Sequence, residues 1–261
     1  MAKTQLQIGL ILPDVLGTYG DDGNALVLRQ RARMRGLSAE IVPIKLGEAV
    51  PDSLDVYTLG GGEDTAQILA AEHLIKDGGL TRAAEAGRPI LSICAGLQVL
   101  GESFRASGQI IDGVGLIDAT TASMAERAIG EVSSQPTGAG ITAELTETLT
   151  GFENHMGATI LGPAAQPLGK LIRGQGNADT AATADLSDAA EQRIAEGAVQ
   201  GSVIATYMHG PALARNPQLA DLLLAKAMGV ALTDLEPLDI PAVDKLRTER
   251  LNASKPPRSQ L

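Results

Sequence analysis

Short apolar runs, each closed by a turn-forming residue and separated from the next by a segment of helical length, constrain this chain more than any other feature. Leu6-Gln7-Ile8-Gly9-Leu10-Ile11-Leu12 ends at Pro13. Val56-Tyr57-Thr58-Leu59 runs straight into Gly60-Gly61-Gly62, and Ile90-Leu91-Ser92-Ile93 into Cys94. Runs of this kind suit strands covered on both faces. Asp21-Asp22-Gly23-Asn24 offers capping and turn chemistry ahead of a helix over 25–35, which Gly36 closes. Ile41-Val42 is a further strand candidate, and helices are expected over 65–76, 80–86 and from Ala95 to Leu100. The alternation predicts an α/β fold with a mostly parallel sheet and helices on both faces.

The pattern changes over 114–174. Ala128 to Val132 and Thr142 to Leu145, separated by Gly, Pro, Ser and Thr, read as added antiparallel strands of the same domain. Residues 175–198 read as an exposed loop or poor helix, and Gly201 to Met208 as the last strand. Asn216-Pro217 supplies an N-cap and a proline at the first helical position, and Gly229 ends that helix. Beyond Leu232 the tail is charged and carries prolines, so it is expected to be partly disordered or folded onto something else.

Composition removes several function classes. A formal net charge of −10 argues against general nucleic-acid binding and against attraction to an anionic membrane. With Phe 2, Tyr 3 and Trp 0, base-stacking platforms are not expected. A single cysteine excludes a disulfide framework and a multi-cysteine metal site. His73, His155 and His209 are too dispersed to suggest a metal cluster. The early apolar run is too short for a signal segment or membrane span, so a soluble cytoplasmic protein with a reduced thiol is expected. Neither a Gly-x-Gly-x-x-Gly fingerprint at the first strand nor a Gly-x-x-x-x-Gly-Lys-Ser/Thr loop is present.

Chemistry concentrates at predicted strand ends. Cys94 stands between an apolar strand and a helix start, where a tight turn exposes a nucleophile and the helix N-terminus favours its anion. A small buried core cysteine is the competing reading. His209 follows the Val203-to-Met208 run and precedes Gly210-Pro211, again at a strand's carboxyl end, where open α/β sheets place their sites. Gly60-Gly61-Gly62 could aim backbone N–H groups at an oxyanion, or could be a plain turn. His73 lies in a predicted helix and reads as a surface histidine, and the role of His155 stays open. Arg29, Arg31, Arg33 and Arg35 spread around their helix, as a solvated face or a partner contact.

Ser92-Ile93-Cys94-Ala95-Gly96-Leu97-Gln98 is similar, apart from Ser92, to the Gly-x-Cys-x-Gly-x-Gln motif of the cysteine-histidine, class I glutamine amidotransferases. The Gly151-to-Gly157 turn and Tyr207-Met208-His209-Gly210 resemble the cobyric acid synthase branch of that family. Leu12-Pro13-Asp14, Tyr19 to Asn24, Gly60 to Asp64 and Arg127 to Gly130 resemble, within the branch, the glutaminase subunits of lipid II isoglutaminyl synthase. The resemblance implies a three-layer amidotransferase fold over residues 1–230, with 231–261 a tail that is partly disordered or packed on a partner. It implies hydrolysis of L-glutamine to glutamate and ammonia. Cys94 would be the nucleophile, His209 the base and acid, Gly62 and Ala95 the backbone oxyanion hole, and Gln98 and Arg127 the substrate-binding side chains. No cofactor and no metal are implied. The implied partner is a separate ATP-dependent, Mur-ligase-like synthase subunit, MurT, forming a heterodimer that amidates the D-glutamate of lipid II in peptidoglycan synthesis. A glutaminase for a cobyric-acid-like synthase, or a non-catalytic regulatory subunit, are the alternatives.

One departure matters. Many class I members carry Glu two residues after the histidine, where this chain has Pro211. The imidazole must then be oriented by another residue of this chain or by a partner's carboxylate. The second possibility leads to the expectation of a poor hydrolase until the partner binds.

Overall fold

The structure is a computed structural model and describes residues 5–252. In chain order its first half runs β1 (Leu6–Ile11), α1 (Gly23–Met34), β2 (Ala39–Ile44), β3 (Val56–Leu59), α2 (Asp64–Asp77), α3 (Gly79–Glu85), β4 (Ile90–Ile93) and α4 (Ala95–Leu100). Next come β5 (Ser103–Ala106), β6 (Gln109–Asp112), β7 (Ala119–Pro136), β8 (Leu149–Leu161) and β9 (Gly169–Arg173). The remainder is α5 (Ala189–Arg193), β10 (Ala195–Glu196), β11 (Ala198–Gln200), β12 (Val203–Thr206), α6 (Ala212–Arg215), α7 (Pro217–Met228) and α8 (Pro241–Leu251).

The central sheet has the order β11-β12-β4-β3-β1-β2, and every neighbouring pair is parallel except β11 with β12. Every residue of β3, β4 and β12 is buried, as their unbroken apolar runs require. From β1 the chain crosses outward to β2, whereas from β3 it crosses the other way to β4. Right-handed crossovers therefore put α1 on one face and α2–α3 on the other. The divergence between β1 and β3 opens a crevice at their carboxyl ends.

The antiparallel strands do not extend this sheet. They form a second, mixed one of order β10-β9-β7-β5-β6, with β8 pairing along β7. The expected strand over Thr142 to Leu145 is absent. Gly140–Thr142 is a 3₁₀ turn, and the Thr142 hydroxyl donates to the Ala139 carbonyl at 2.6 Å instead of lining a sheet face. The last strand is also shorter than expected, because Gly201 and Ser202 make the turn between β11 and β12. Residues 175–198 hold α5 and β10 and bury Asn177, Thr183 and Glu196, so this segment is more than an exposed loop.

Asn216 does precede α7, but its side chain does not cap the helix. Its Oδ1 accepts from Thr150 N–H at 2.9 Å and its Nδ2 donates to the Thr150 carbonyl at 2.8 Å, tying α7 to β8. The expected tail divides. Residues 231–252 contain α8, whose Arg247 donates to the carbonyls of Arg215 and Thr148, while Leu232 and Leu235 pack on the main core. Residues 253–261 lie outside the described ones. Among the described residues no helix is long and apolar enough to cross a membrane.

The arginines of α1 divide as well. Arg31 and Arg35, one helical turn apart, both pair with Asp221 of α7, at 2.6 and 2.8 Å. Arg33 donates to the Ala39 carbonyl at 3.0 Å. Two nearly buried guanidinium groups share one carboxylate, so Asp221→Ala leaves both without that counter-charge, and Arg35 keeps only its carbonyl acceptors such as Glu236. A stability loss of about 3 kcal/mol is expected in urea unfolding.

Candidate active site

The loops at the carboxyl ends of β1, β3, β4 and β12 converge on the crevice. They bring Tyr19 and Asp21, Gly60 to Gly62, Cys94 and His209 to one place. Gly60 permits the approach: a Cβ there would lie 2.1 Å from the Leu16 carbonyl oxygen, inside contact distance of the β1–α1 loop.

Cys94 has φ 53° and ψ −108°, a conformation that a non-glycine residue adopts only under constraint. Two contacts impose it. The Cys94 N–H donates to the Thr206 carbonyl at 2.8 Å, and α4 begins at the next residue. Gly96 lets the turn close, because a Cβ there would meet the Ser92 hydroxyl at 2.5 Å and the Gly60 carbonyl at 3.0 Å. The cysteine is 6% exposed, at the head of a helix whose first N–H groups have no intrahelical partners. Ala95 supplies the first of these.

His209 resolves the question left by Pro211. Its Nδ1–H donates to the Asp21 carboxylate, 3.1 Å from Oδ1 and 3.0 Å from Oδ2. Asp21 Oδ2 also accepts from Gly61 N–H at 3.1 Å. The carboxylate held against His209 therefore belongs to this chain, the first of the two possibilities that Pro211 leaves open. Pro211 has a different job: it packs on Gly23 at the start of α1, where a Cβ would come within 2.3 Å of its ring. That contact seats the loop carrying Asp21 over the histidine.

Burial pulls the His209 pKa down, but the Asp21 hydrogen bond and the neighbouring Cys94 outweigh it and push the value up to about 10. Cys94 acts on the ring without a hydrogen bond of ordinary geometry, and Nε2 is buried and unpartnered. The Tyr19 ring leans on His209 at a centroid distance of 5.2 Å, and its hydroxyl donates to Glu63 Oε1 at 2.5 Å. That hydrogen bond and burial raise the Tyr19 pKa to about 12, so the phenol stays protonated.

A cavity of about 410 Å³ opens beside Cys94. Of the residues singled out in the sequence, Gly62, Gln98 and Arg127 line it with Cys94. Neither Ala95 nor His209 lines it, although Tyr19, which does, packs its ring on His209. Gln67 holds the Gly62 turn through its carbonyl at 3.2 Å. Gln98, one turn after the cysteine, donates to Tyr207 Oη at 3.3 Å. Arg127 occupies the irregularity in the β7–β8 ladder between Ser123 and Ala128, and donates to Asn154 Oδ1 at 3.0 Å.

His155 lines the same cavity from β8, stacked on Tyr207 at 3.6 Å, and burial pushes its pKa down to about 4. His73 is a surface histidine bonded to the Glu48 carbonyl at 2.9 Å. Sequence reasoning missed Asp21, Tyr19 and Asn154. Asp21 reads in the sequence as turn and cap chemistry. Its other signals are its place in the loop after the first strand and within the Tyr19-to-Asn24 stretch that carries the resemblance.

A cysteine at a strand-to-helix elbow, a carboxylate-held histidine and an adjacent cavity define a class, and the chain belongs to the family of CobB/CobQ-like glutamine amidotransferase domains, whose model matches residues 7–217. It is similar to the glutamine-hydrolysing GatD subunit of lipid II isoglutaminyl synthase from Staphylococcus aureus, with 34% identity over 90% of each chain. It is also similar to the GatD subunit of Streptococcus pneumoniae, with 31% identity over 86% of this chain and 81% of that one. The fold resembles a crystal structure of a glutamine amidotransferase, with a TM-score of 0.52 at 20% identity, covering 85% of this chain and 99% of that one.

Asp21→Asn removes the charge that favours the imidazolium. The His209 midpoint, read by NMR, is expected to fall from about 10 toward its ordinary value. Because the folded pKa is raised, His209 contributes stability in full below its unfolded pKa of about 6.5. That contribution is lost as pH rises through about 10. In Asp21→Asn the loss of stability with rising pH is expected to be smaller and to be complete at lower pH, because only the folded-state pKa has moved.

Proposed function

We propose that the chain is the glutaminase subunit of a two-subunit amide-forming ligase. The observation that carries this reading is the Cys94–His209–Asp21 arrangement at the carboxyl ends of β4, β12 and β1, beside a cavity sized for an amino acid. Its likeness along most of its length to GatD subunits favours lipid II as the final substrate of the complex. The ammonia acceptor is then the D-glutamate α-carboxylate, activated by a separate ATP-dependent, Mur-ligase-like subunit, MurT, in a cytoplasmic heterodimer.

The chemistry follows from the charges. His209 as imidazolium, held by Asp21, stabilises the Cys94 thiolate. Arg127 pairs with the glutamine α-carboxylate, and Gln98 hydrogen-bonds the substrate. The thiolate attacks the side-chain amide carbon, and the oxygen, now anionic, accepts from the Gly62 and Ala95 N–H groups. His209 gives its proton to the amide nitrogen, the C–N bond breaks, and ammonia leaves with Cys94 joined to a γ-glutamyl group as thioester. Neutral His209 then takes a proton from water, whose oxygen attacks the thioester carbon. Expulsion of the thiolate releases glutamate and restores the imidazolium.

Cys94→Ser is expected to abolish amidation of lipid II driven by glutamine in the reconstituted complex, while amidation driven by ammonium salts persists. Retention of most glutaminase turnover by Cys94→Ser would overturn the reading. His209→Ala should lower glutamine turnover by about 10³-fold or more, as expected for one member of a unit that acts together. Since Asp21 already orients His209, the isolated chain is expected to form glutamate from glutamine without its partner, measured by coupled glutamate detection.

A further inference from the structure

A second cavity, of about 420 Å³, lies beyond Tyr19 and Asn154. These two residues line both cavities, whereas Cys94 lines only the first and His209 only the second. The cysteine thus lines one space and the histidine beside it lines the other, with Tyr19 and Asn154 as the partition between the two spaces.

We infer that the second cavity is the route by which ammonia leaves the site and small nucleophiles reach the thioester. The inference rests on the glutamine-hydrolase reading. When the amide C–N bond breaks, the γ-glutamyl group stays bonded to the cysteine sulfur, and its α-carboxylate stays at Arg127. The first cavity is therefore still occupied at the moment ammonia forms. Ammonia forms between Cys94 and His209, and His209 is the member of that pair that lines the second cavity.

The walls suit the uncharged product. Apart from His209 they are Tyr19, Gly20, Phe152, Asn154, Gly210 and Pro211, with no carboxylate, lysine or arginine among them. Such a lining admits neutral ammonia and gives ammonium no counter-charge. Each side of the partition is tethered to a residue of the first cavity, Tyr19 by Glu63 and Asn154 by Arg127. Glutamine seated at Arg127 and the partition thus share a contact.

Hydroxylamine tests the route, because it is a small neutral nucleophile larger than water. Its nitrogen attacks the thioester carbon, the C–S bond breaks, and its surplus proton passes to His209, giving γ-glutamyl hydroxamate. The full-length chain is incubated with L-glutamine and hydroxylamine, and hydroxamate and glutamate are both measured. Phe152 is 38% exposed and lines only the second cavity, so its side chain can be changed without opening the core. Phe152→Ala should raise the hydroxamate-to-glutamate ratio severalfold, and Phe152→Trp should lower it severalfold. Arg105→Ala, in the first cavity only, should leave the ratio as in the wild type. A ratio indifferent to both Phe152 substitutions, or one that moves with Arg105→Ala instead, overturns the inference while leaving the hydrolase reading intact. A folded wild-type chain that forms neither product overturns the hydrolase reading itself.

Discussion

The buried carboxylate of Asp21 is the constraint on which the rest of the site depends. An ionised carboxylate without solvent is costly unless donors surround it, and here the donors come from two distant loops. Gly61 N–H arrives from the end of β3 and His209 Nδ1–H from the end of β12, while Asp21 itself sits after β1. Satisfying one anion therefore holds the glycine turn and the histidine in fixed relation. The same anion fixes which imidazole nitrogen faces the cysteine and, together with Cys94, raises the ring's pKa against the pull of burial.

The second sheet completes what the central sheet begins. The buried face of β8 lies directly against the His209 segment. Glycine makes that possible at Gly151, where a Cβ would stand 2.3 Å from the Met208 side chain, and at Gly157, where it would stand 2.3 Å from Gln98 Nε2. The irregularity in the β7–β8 ladder then leaves Arg127 at the cavity mouth. Buried Glu196 secures the approach to His209 by accepting from the Thr206 hydroxyl at 2.5 Å and Tyr207 N–H at 3.1 Å. Burial, with these hydrogen bonds opposing it, leaves its pKa at about 7.

Legibility in the sequence followed the range of the interactions involved. Strands covered on both faces could be read because burial demands a continuous apolar run, and Val56 to Leu59 and Ile90 to Ile93 show it. Thr142 to Leu145 misled because a short alternation says nothing about where a hydroxyl finds its acceptor, and Thr142 found one in its own turn. Asp21 looked like a local capping residue because Asp often is one. Its true partner is 188 residues away, and no spacing rule reaches that far.

The sequence by itself determined the alternation of strands and helices, the small residues that let Cys94 occupy its strained turn, and the presence of a thiol and an imidazole at strand ends. These depend on neighbours along the chain, through backbone sterics and burial periodicity. Only the tertiary structure decided which acid orients His209, that the antiparallel strands form a sheet of their own, and that α8 returns to the domain that bears it. It also decided that cysteine and histidine, although side by side, line different cavities. Each of these outcomes is settled by where crossovers and loops converge in space, and electrostatic and packing partners chosen there leave no periodic trace in the order of residues.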